Sequence, residues 1–323
     1  MSRSPAKAQR SRRQPVKSAA TRKKALRESQ VGYAADAPTK SCVEYPIGLG
    51  ALFQGDCLDI LPDLPADECV LAFTSPPYLN AINYSQHVEK IKGKVERWER
   101  HAVSYGEYRQ FLIDRFQALF RVVKPGGFNI VNISPVGWNG ERMALPFHFV
   151  GWMEQIGWKF REDIVWEKTI ARDRRSGVLL QHPYPGYYYP SLVSEYVFVF
   201  QKPALKKERE NIYWNRSQEE KEQNKLDLTN FQGEMSKNVW KIRPLSPQEN
   251  LHPAPFPLEL AERIVSLYSY QGDSVIDIFA GSGQTALACE RLGRRHVSIE
   301  ILKEYVDYAT KRLKAHIAQD RMF

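Results

Sequence analysis

The chain has 323 residues, 43% of them hydrophobic, enough for one large α/β domain or two small ones. No window approaches the roughly 18 consecutive apolar residues of a membrane helix, and Cys42, Cys57, Cys69 and Cys289 show neither a CxxC pair nor a ligand-like spacing with histidine, which disfavours a membrane span, a disulfide scaffold and a metal site. Ten of the 46 basic side chains lie within residues 1–27, which hold no acid; the other 36 face 37 acidic ones, so the net charge of +9 resides in the tail.

That Ser/Ala/Arg/Lys-rich tail is too polar to bury a core. It reads as a disordered basic arm able to hold phosphates, as a solubilising segment, or as an import peptide. A secretory signal is not expected, because no apolar core is present. Order is expected to begin near residue 42. "LFQGDCLDILPDLP" gives a short strand ending at Gly55-Asp56 and then a helical turn. Cys69 to Phe73 is a continuous apolar run, as in a strand covered on both faces of a parallel sheet. "TSPPY" follows. Pro76 and Pro77 cannot donate to a ladder, and each holds its predecessor extended. The chain therefore leaves the sheet rigidly, with Ser75 and Tyr78 at the edge where open α/β sheets bind ligands; a Pro-Pro turn with a solvated serine is the plain alternative.

From Val88, apolar residues at 88, 91, 95 and 98 predict a helical stripe whose other faces carry Lys90, Lys92, Lys94, Arg97 and Arg100. It is either a basic substrate-contacting loop or a solvated amphipathic face. Residues 107–123 read as a helix stopped by "KPGG". Then come a strand in "FNIVNIS", a helix in "FVGWMEQIGWKF", and strands in "EDIVWEK" and "EYVFVFQK". Between Lys168 and Gln248 most of the chain is polar, punctuated by aromatics and poorly periodic. Regularity returns with "HPAPFPLELAERIVSLYS", where Pro257 starts a helix, and with "GDSVIDIFAGSGQTALACERLGRRHVSIE". The alternation of β and α predicts a doubly wound, mostly parallel sheet with helices on both faces.

The strand Val275–Phe279 runs into Gly281-Ser282-Gly283-Gln284-Thr285-Ala286 and a helix. The next strand, His296 to Ile299, ends at Glu300, 19 residues after Gly281. This satisfies the G-x-G-x-x-(G/A) fingerprint with its ribose-binding acid. NAD, FAD or S-adenosylmethionine could use it, and a tight strand–helix turn is the bland reading. Its place near the C-terminus separates the cofactors. A dehydrogenase opens with this unit, whereas here most of the sheet is already written. The strand is expected to slot late beside Cys69–Phe73, bringing Ser75 and the Gly281 loop to neighbouring strand ends.

"TSPPY", "HPAPFPLEL" and "DIFAGSGQT", in that order, resemble the amino-methylating DNA methyltransferases, the N4-cytosine and N6-adenine group, and the order resembles the family's β class. The likeness runs from about Gly55 to Leu313 outside the tail and residues 169–248. It implies a Rossmann-like methyltransferase fold in circularly permuted order. After the tail (1–41), which its composition marks as disordered, it further implies a catalytic half (42–168), a partly irregular target-recognition insertion (169–248, with a core strand near 194–201) and an S-adenosylmethionine-binding half of the same domain (249–323). Phe279, Gly281, Ser282 and Gly283 would cradle the methionine part, with Asp277 at the strand end. His252, Pro253 and the residues to Pro257 would brace it, with Thr285 nearby. Glu300 would hold the ribose hydroxyls and Asp56 the adenine amino group. Ser75, Pro76, Pro77 and Tyr78 would form the pocket for a base flipped out of double-stranded DNA, with no metal involved.

In that family Ser at position 75 goes with cytosine N4 and Asp with adenine N6, so N4-cytosine is favoured and N6-adenine is the alternative. The chemistry alone leaves this open, because a hydroxyl could accept from the amino group and donate to a ring nitrogen of either base. C5 methylation is disfavoured, since it needs a cysteine nucleophile, carried by its enzymes in a Pro-Cys pair that this chain lacks. Methylation of RNA, an NAD dehydrogenase and a non-catalytic nucleic-acid-binding module are the rival readings. Within residues 169–248, Arg172, Arg174, Arg175, Lys206, Lys207 and Arg209 could read guanine edges or hold phosphates. The resemblance implies a bacterial or archaeal cytoplasmic, nucleoid-associated protein. It would be a monomer or weak homodimer, and a restriction endonuclease acting on the same site could accompany it.

Overall fold

In the computed structural model, placement is described for residues 42–78, 104–138, 141–169, 184–186, 192–207, 210–227, 229, 233–246, 252 and 254–320. The basic tail, the 88–100 stripe, Pro253 and the four arginines singled out in 169–248 lie outside these residues. In chain order the elements begin with β1 (Val43–Ile47), β2 (Gly50–Gln54), α1 (Cys57–Ile60) and β3 (Cys69–Thr74). Then follow α2 (Tyr105–Val122), β4 (Val123–Ile133), β5 (Val136–Trp138), β6 (Glu141–Met143), α3 (Leu145–Ile156), β7 (Lys159–Lys168) and β8 (Ser194–Gln201). The remainder are α4 (Gln218–Gln223), β9 (Val239–Ile242), α5 (Leu258–Tyr268), β10 (Ser274–Asp277), α6 (Gln284–Leu292), β11 (Arg295–Glu300) and α7 (Lys303–Asp320).

Nine strands form one sheet in the order β1-β2-β11-β10-β3-β4-β8-β7-β9, and β5 pairs with β6 apart from it. The pairs β2–β11, β11–β10, β10–β3, β3–β4 and β7–β9 are parallel, while β1–β2, β4–β8 and β8–β7 are antiparallel. Every residue of β3 and β10 is buried, as their unbroken apolar runs require in the middle of a sheet covered on both faces. The late strand β10 inserts beside β3 with Val275 opposite Leu71 and Ile276 opposite Ala72, as its position in the chain led one to expect.

Alternation along the strands feeds two layers. In β8, Phe198 and Phe200 join a core with Tyr108, Leu112, Phe116 and Leu119 of α2 and Phe149 and Met153 of α3. Val197 and Val199 face a second core with Leu260, Ile264 and Val265 of α5 and Ala288 of α6. A third cluster seats α7 against the sheet edge through Val306, Ala309 and Leu313. The sheet is thus doubly wound, with helices on both faces. Among the described residues, no helix is long and apolar enough to cross a membrane.

Some elements differ from the sequence expectation for identifiable reasons. The helix α2 starts at Tyr105 because Ser104 and Glu107 form a reciprocal capping box. The "KPGG" stretch lies inside β4, since Gly126 N–H donates to Lys202 O at 2.8 Å and Lys202 N–H to Gly127 O at 2.9 Å, which extends the ladder with the β8 side. Strand β10 stops at Asp277, whose own carboxylate accepts the Phe279 N–H at 3.0 Å and turns the chain two residues early. Within 169–248, β9 joins the sheet beside β7 and buries Trp240 and Ile242.

Candidate active site

The proline turn leaves β3 at Thr74. Ser75 and Tyr78 are half-buried and Pro76 is buried, so the turn lies against the protein instead of projecting from it. Two contacts fix it. The Tyr108 hydroxyl, itself buried, donates to Pro77 O at 2.9 Å, pinning the turn to α2. The Ser75 hydroxyl donates to Asn132 O, at the end of β4, at 3.0 Å. A hydroxyl has one proton and two lone pairs. With its proton on Asn132, Ser75 faces an incoming group as an acceptor, so its donation to a ring nitrogen is not the arrangement seen.

The glycine turn lies at the neighbouring strand end. Gly281 N–H donates to Glu300 Oε2 at 2.8 Å, and Leu302 N–H donates to Glu300 Oε1 at 2.9 Å. Gly55 N–H donates to the main-chain oxygen of Glu300 at 3.0 Å, which brings Asp56 to the same edge. Burial pushes the Glu300 carboxyl up to about 7, against the lowering effect of those two N–H groups on its side chain. Asp56 caps α1 by accepting from Leu58 N–H at 2.9 Å and forms an ion pair with Arg115. The Arg115 guanidinium lies 3.7 Å over the ring of Phe111, and that ring stacks on Phe279 at 6.0 Å between centroids. The His252 ring borders Gly281: a Cβ there would stand 3.1 Å from it, at a backbone φ of +51°. Gly283, at φ +76°, would place a Cβ 2.8 Å from that of Ala309. Here glycine is required for the left-handed turn and for the approach of α7.

A buried junction joins the two turns. Asp277 Oδ1 accepts from the Thr74 hydroxyl at 2.7 Å as well as from Phe279 N–H, and Oδ2 accepts from the Thr285 hydroxyl at 2.7 Å. Burial raises its carboxyl to about 6. The structure therefore brings Ser75, Asp56, His252, Phe279, Gly281, Ser282, Gly283 and Glu300 to one sheet edge. Asp277 accepts from both Thr74 and Thr285 beneath that edge, joining the loops together.

The edge suits a ligand carrying hydroxyl and amine donors. Glu300 and Asp56 supply carboxylates, and among the described residues no side chain caps the N-terminus of α6 and the buried Ser282 hydroxyl has no hydrogen-bond partner. Among the described residues, no cluster of three or more His, Cys, Asp or Glu could hold a metal ion. Sequence reasoning missed Thr74, Tyr108, Arg115 and Asn132. Asn132 left a trace as a polar residue closing an apolar strand, and Thr74 stood at the head of "TSPPY" without a role of its own; Tyr108 and Arg115 read as ordinary members of a helix.

Comparison with known proteins agrees with this geometry. Residues 70–311 match the family model of the N6/N4 type described as DNA methylase. The type II methyltransferase M.Cfr9I of Citrobacter freundii is 26% identical over 297 residues, covering 81% of this chain and 87% of that protein. The orphan methyltransferase M.BamHII of Bacillus amyloliquefaciens is 28% identical over 269 residues, with coverage of 76% and 89%. Among solved structures, a proposed DNA modification methylase of Thermus thermophilus, in complex with S-adenosyl-L-methionine, aligns with a TM-score of 0.60 and 25% identity over 81% of this chain and 92% of that one. The PvuII cytosine-N4-specific DNA methyltransferase shares the fold at a TM-score of 0.60 and 20% identity, with coverage of 82% and 86%.

Proposed function

The chain belongs to the N6/N4 DNA methylase family, and from that membership we propose that it methylates the exocyclic N4 of cytosine in double-stranded DNA, with S-adenosylmethionine as donor. The observation that carries the amino-group chemistry is the Ser75 hydroxyl, fixed as an acceptor beside the glycine turn; cytosine is chosen over adenine because Ser and not Asp stands there, as the resemblance implies. The type II relatives support a role in DNA modification.

An exocyclic amine is a poor nucleophile because its lone pair is conjugated with the ring. Acceptors placed around its hydrogens favour a tetrahedral nitrogen and free that lone pair. Ser75 Oγ serves as one acceptor, and a main-chain carbonyl at Ser75 or Pro76 as another. The two prolines offer no competing N–H. Tyr78 stacks on the base once it leaves the duplex, worth about 1–3 kcal/mol by analogy with single-strand binding. Tyr108 holds the turn in place beforehand, so orientation is arranged before the base arrives.

S-adenosylmethionine supplies, when bound, a methyl group on a positively charged sulfur. Glu300 would accept from its ribose hydroxyls and Asp56 from its adenine amine. Phe279, Gly281, Ser282 and Gly283, with His252 and Pro253, would line the methionine side. The methylated nitrogen is strongly acidic and loses its proton without a strong base, so the pocket needs no histidine.

The test is incubation with PCR-amplified, hence unmethylated, DNA and labelled S-adenosylmethionine, followed by digestion and mass spectrometry of the nucleosides. N4-methylcytosine is expected. N6-methyladenine would keep the amino chemistry and overturn the base assignment through Ser75. Label in RNA alone would move the substrate, and label in neither would refute methyl transfer.

A further inference from the structure

Behind Ser75 a chain of polar side chains crosses the sheet edge in the strand order β3-β4-β8-β7. Asn132 closes β4, Glu195 lies at the start of β8, and Lys168 ends β7. All three sit at the edge from which the proline turn departs, because β8 runs antiparallel to both of its neighbours. Asn132 Nδ2 donates to Glu195 Oε2 at 2.6 Å, and Lys168 forms an ion pair with Glu195 Oε1. Asn132 Nδ2 also donates to Ser75 Oγ at 3.5 Å. Glu195 is 5% exposed and Asn132 2%.

A carboxylate only accepts hydrogen bonds, so Glu195 dictates which end of the Asn132 amide faces it. The N–H₂ end is held between Glu195 and Ser75 Oγ, and Asn132 Oδ1 is buried with no hydrogen-bond partner among the described residues. Stability offers no reason for this arrangement, since a buried ion pair replaced by apolar residues is often neutral or better. Resting on the amino-methylation reading, we propose that Glu195, neutralised by Lys168, is a positioning residue for methyl transfer. It pins the Asn132 amide with one N–H on Glu195 and the other on Ser75 Oγ, so that the Ser75 hydroxyl keeps its proton on Asn132 O and turns its remaining lone pair to the entering amine. An Asn132 amide turned over would set its oxygen against Ser75 Oγ and give the hydroxyl proton a second acceptor, so the lone pair would no longer be fixed.

The test compares wild type, Glu195→Gln, Lys168→Met and the double variant. Each is measured for single-turnover methyl transfer to PCR-amplified DNA at saturating S-adenosylmethionine, for donor affinity by calorimetry, and for thermal stability. The expected result for Glu195→Gln is a rate lower by on the order of 10–100-fold, the scale of one lost charge-assisted hydrogen bond, with donor affinity unchanged. Lys168→Met leaves a buried charge unpaired and should destabilise the fold. The double variant should regain that stability without regaining the rate. A wild-type rate in Glu195→Gln, or recovery of rate together with stability in the double variant, would overturn the proposal while leaving the methylation reading intact. A wild-type protein that labels no DNA would instead remove the reading on which it rests.

Discussion

Glu300 links protonation to donor binding in a way that calorimetry can isolate. Its carboxyl is pushed up to about 7 by burial, whereas the role proposed for it requires the ionised form, which accepts from two ribose hydroxyls. Only the ionised fraction is then competent: roughly one tenth at pH 6 and nine tenths at pH 8, so the apparent Kd for S-adenosylmethionine should be about tenfold weaker at pH 6. Binding draws the ionised form and expels a proton, about half a proton per ligand at pH 7. Titrations in two buffers of different ionisation enthalpy measure both quantities. Glu300→Gln cannot titrate there and should bind more weakly with neither effect, which separates this group from the ligand's own amine. Equal pH slopes and equal proton release in wild type and variant would refute the reasoning.

Three further outcomes follow from the packing. Thr74→Val removes a donor that lowers the Asp277 pKa, so its carboxyl rises beyond about 6. An acid raised in the folded state contributes stability that is present below its unfolded pKa and lost as pH rises through the folded one. The deficit should therefore grow from pH 4 to pH 8, reaching roughly 1–3 kcal/mol by denaturant titration, and a constant deficit would refute the coupling. Gly283→Ala forces a left-handed Ala against Ala309 and should cost about 1–2 kcal/mol for the backbone alone; adding Ala309→Gly should relieve the clash but not that backbone cost, read as a partial recovery of Tm. Tyr108→Phe leaves Pro77 O without its donor, a loss of about 1 kcal/mol. It should slow methyl transfer severalfold at unchanged donor affinity, and an unchanged rate would show that the turn is held without it.

Local pattern in the sequence determined much of the fold and the outline of the site. The apolar runs of β3 and β10 announced buried parallel strands because a strand covered on both faces has no polar side. The spacing from Gly281 to Glu300 placed an acid at the next strand end, and "SPPY" marked where the chain leaves the sheet. Each feature is carried by residues close in sequence. Tertiary structure alone decided how the edge is wired. Thr74 meets Asp277 across 203 residues, Ser75 meets Asn132 across 57, and Asn132 meets Glu195 across 63. No periodicity encodes such pairs, because strand order sets them and the sequence order of the strands differs from their order in the sheet. Asp277 shows the difference. The resemblance set it at the strand end of a cofactor site; its burial and its three donors, supplied by β3, the turn and α6, also make it the joint between the two loops.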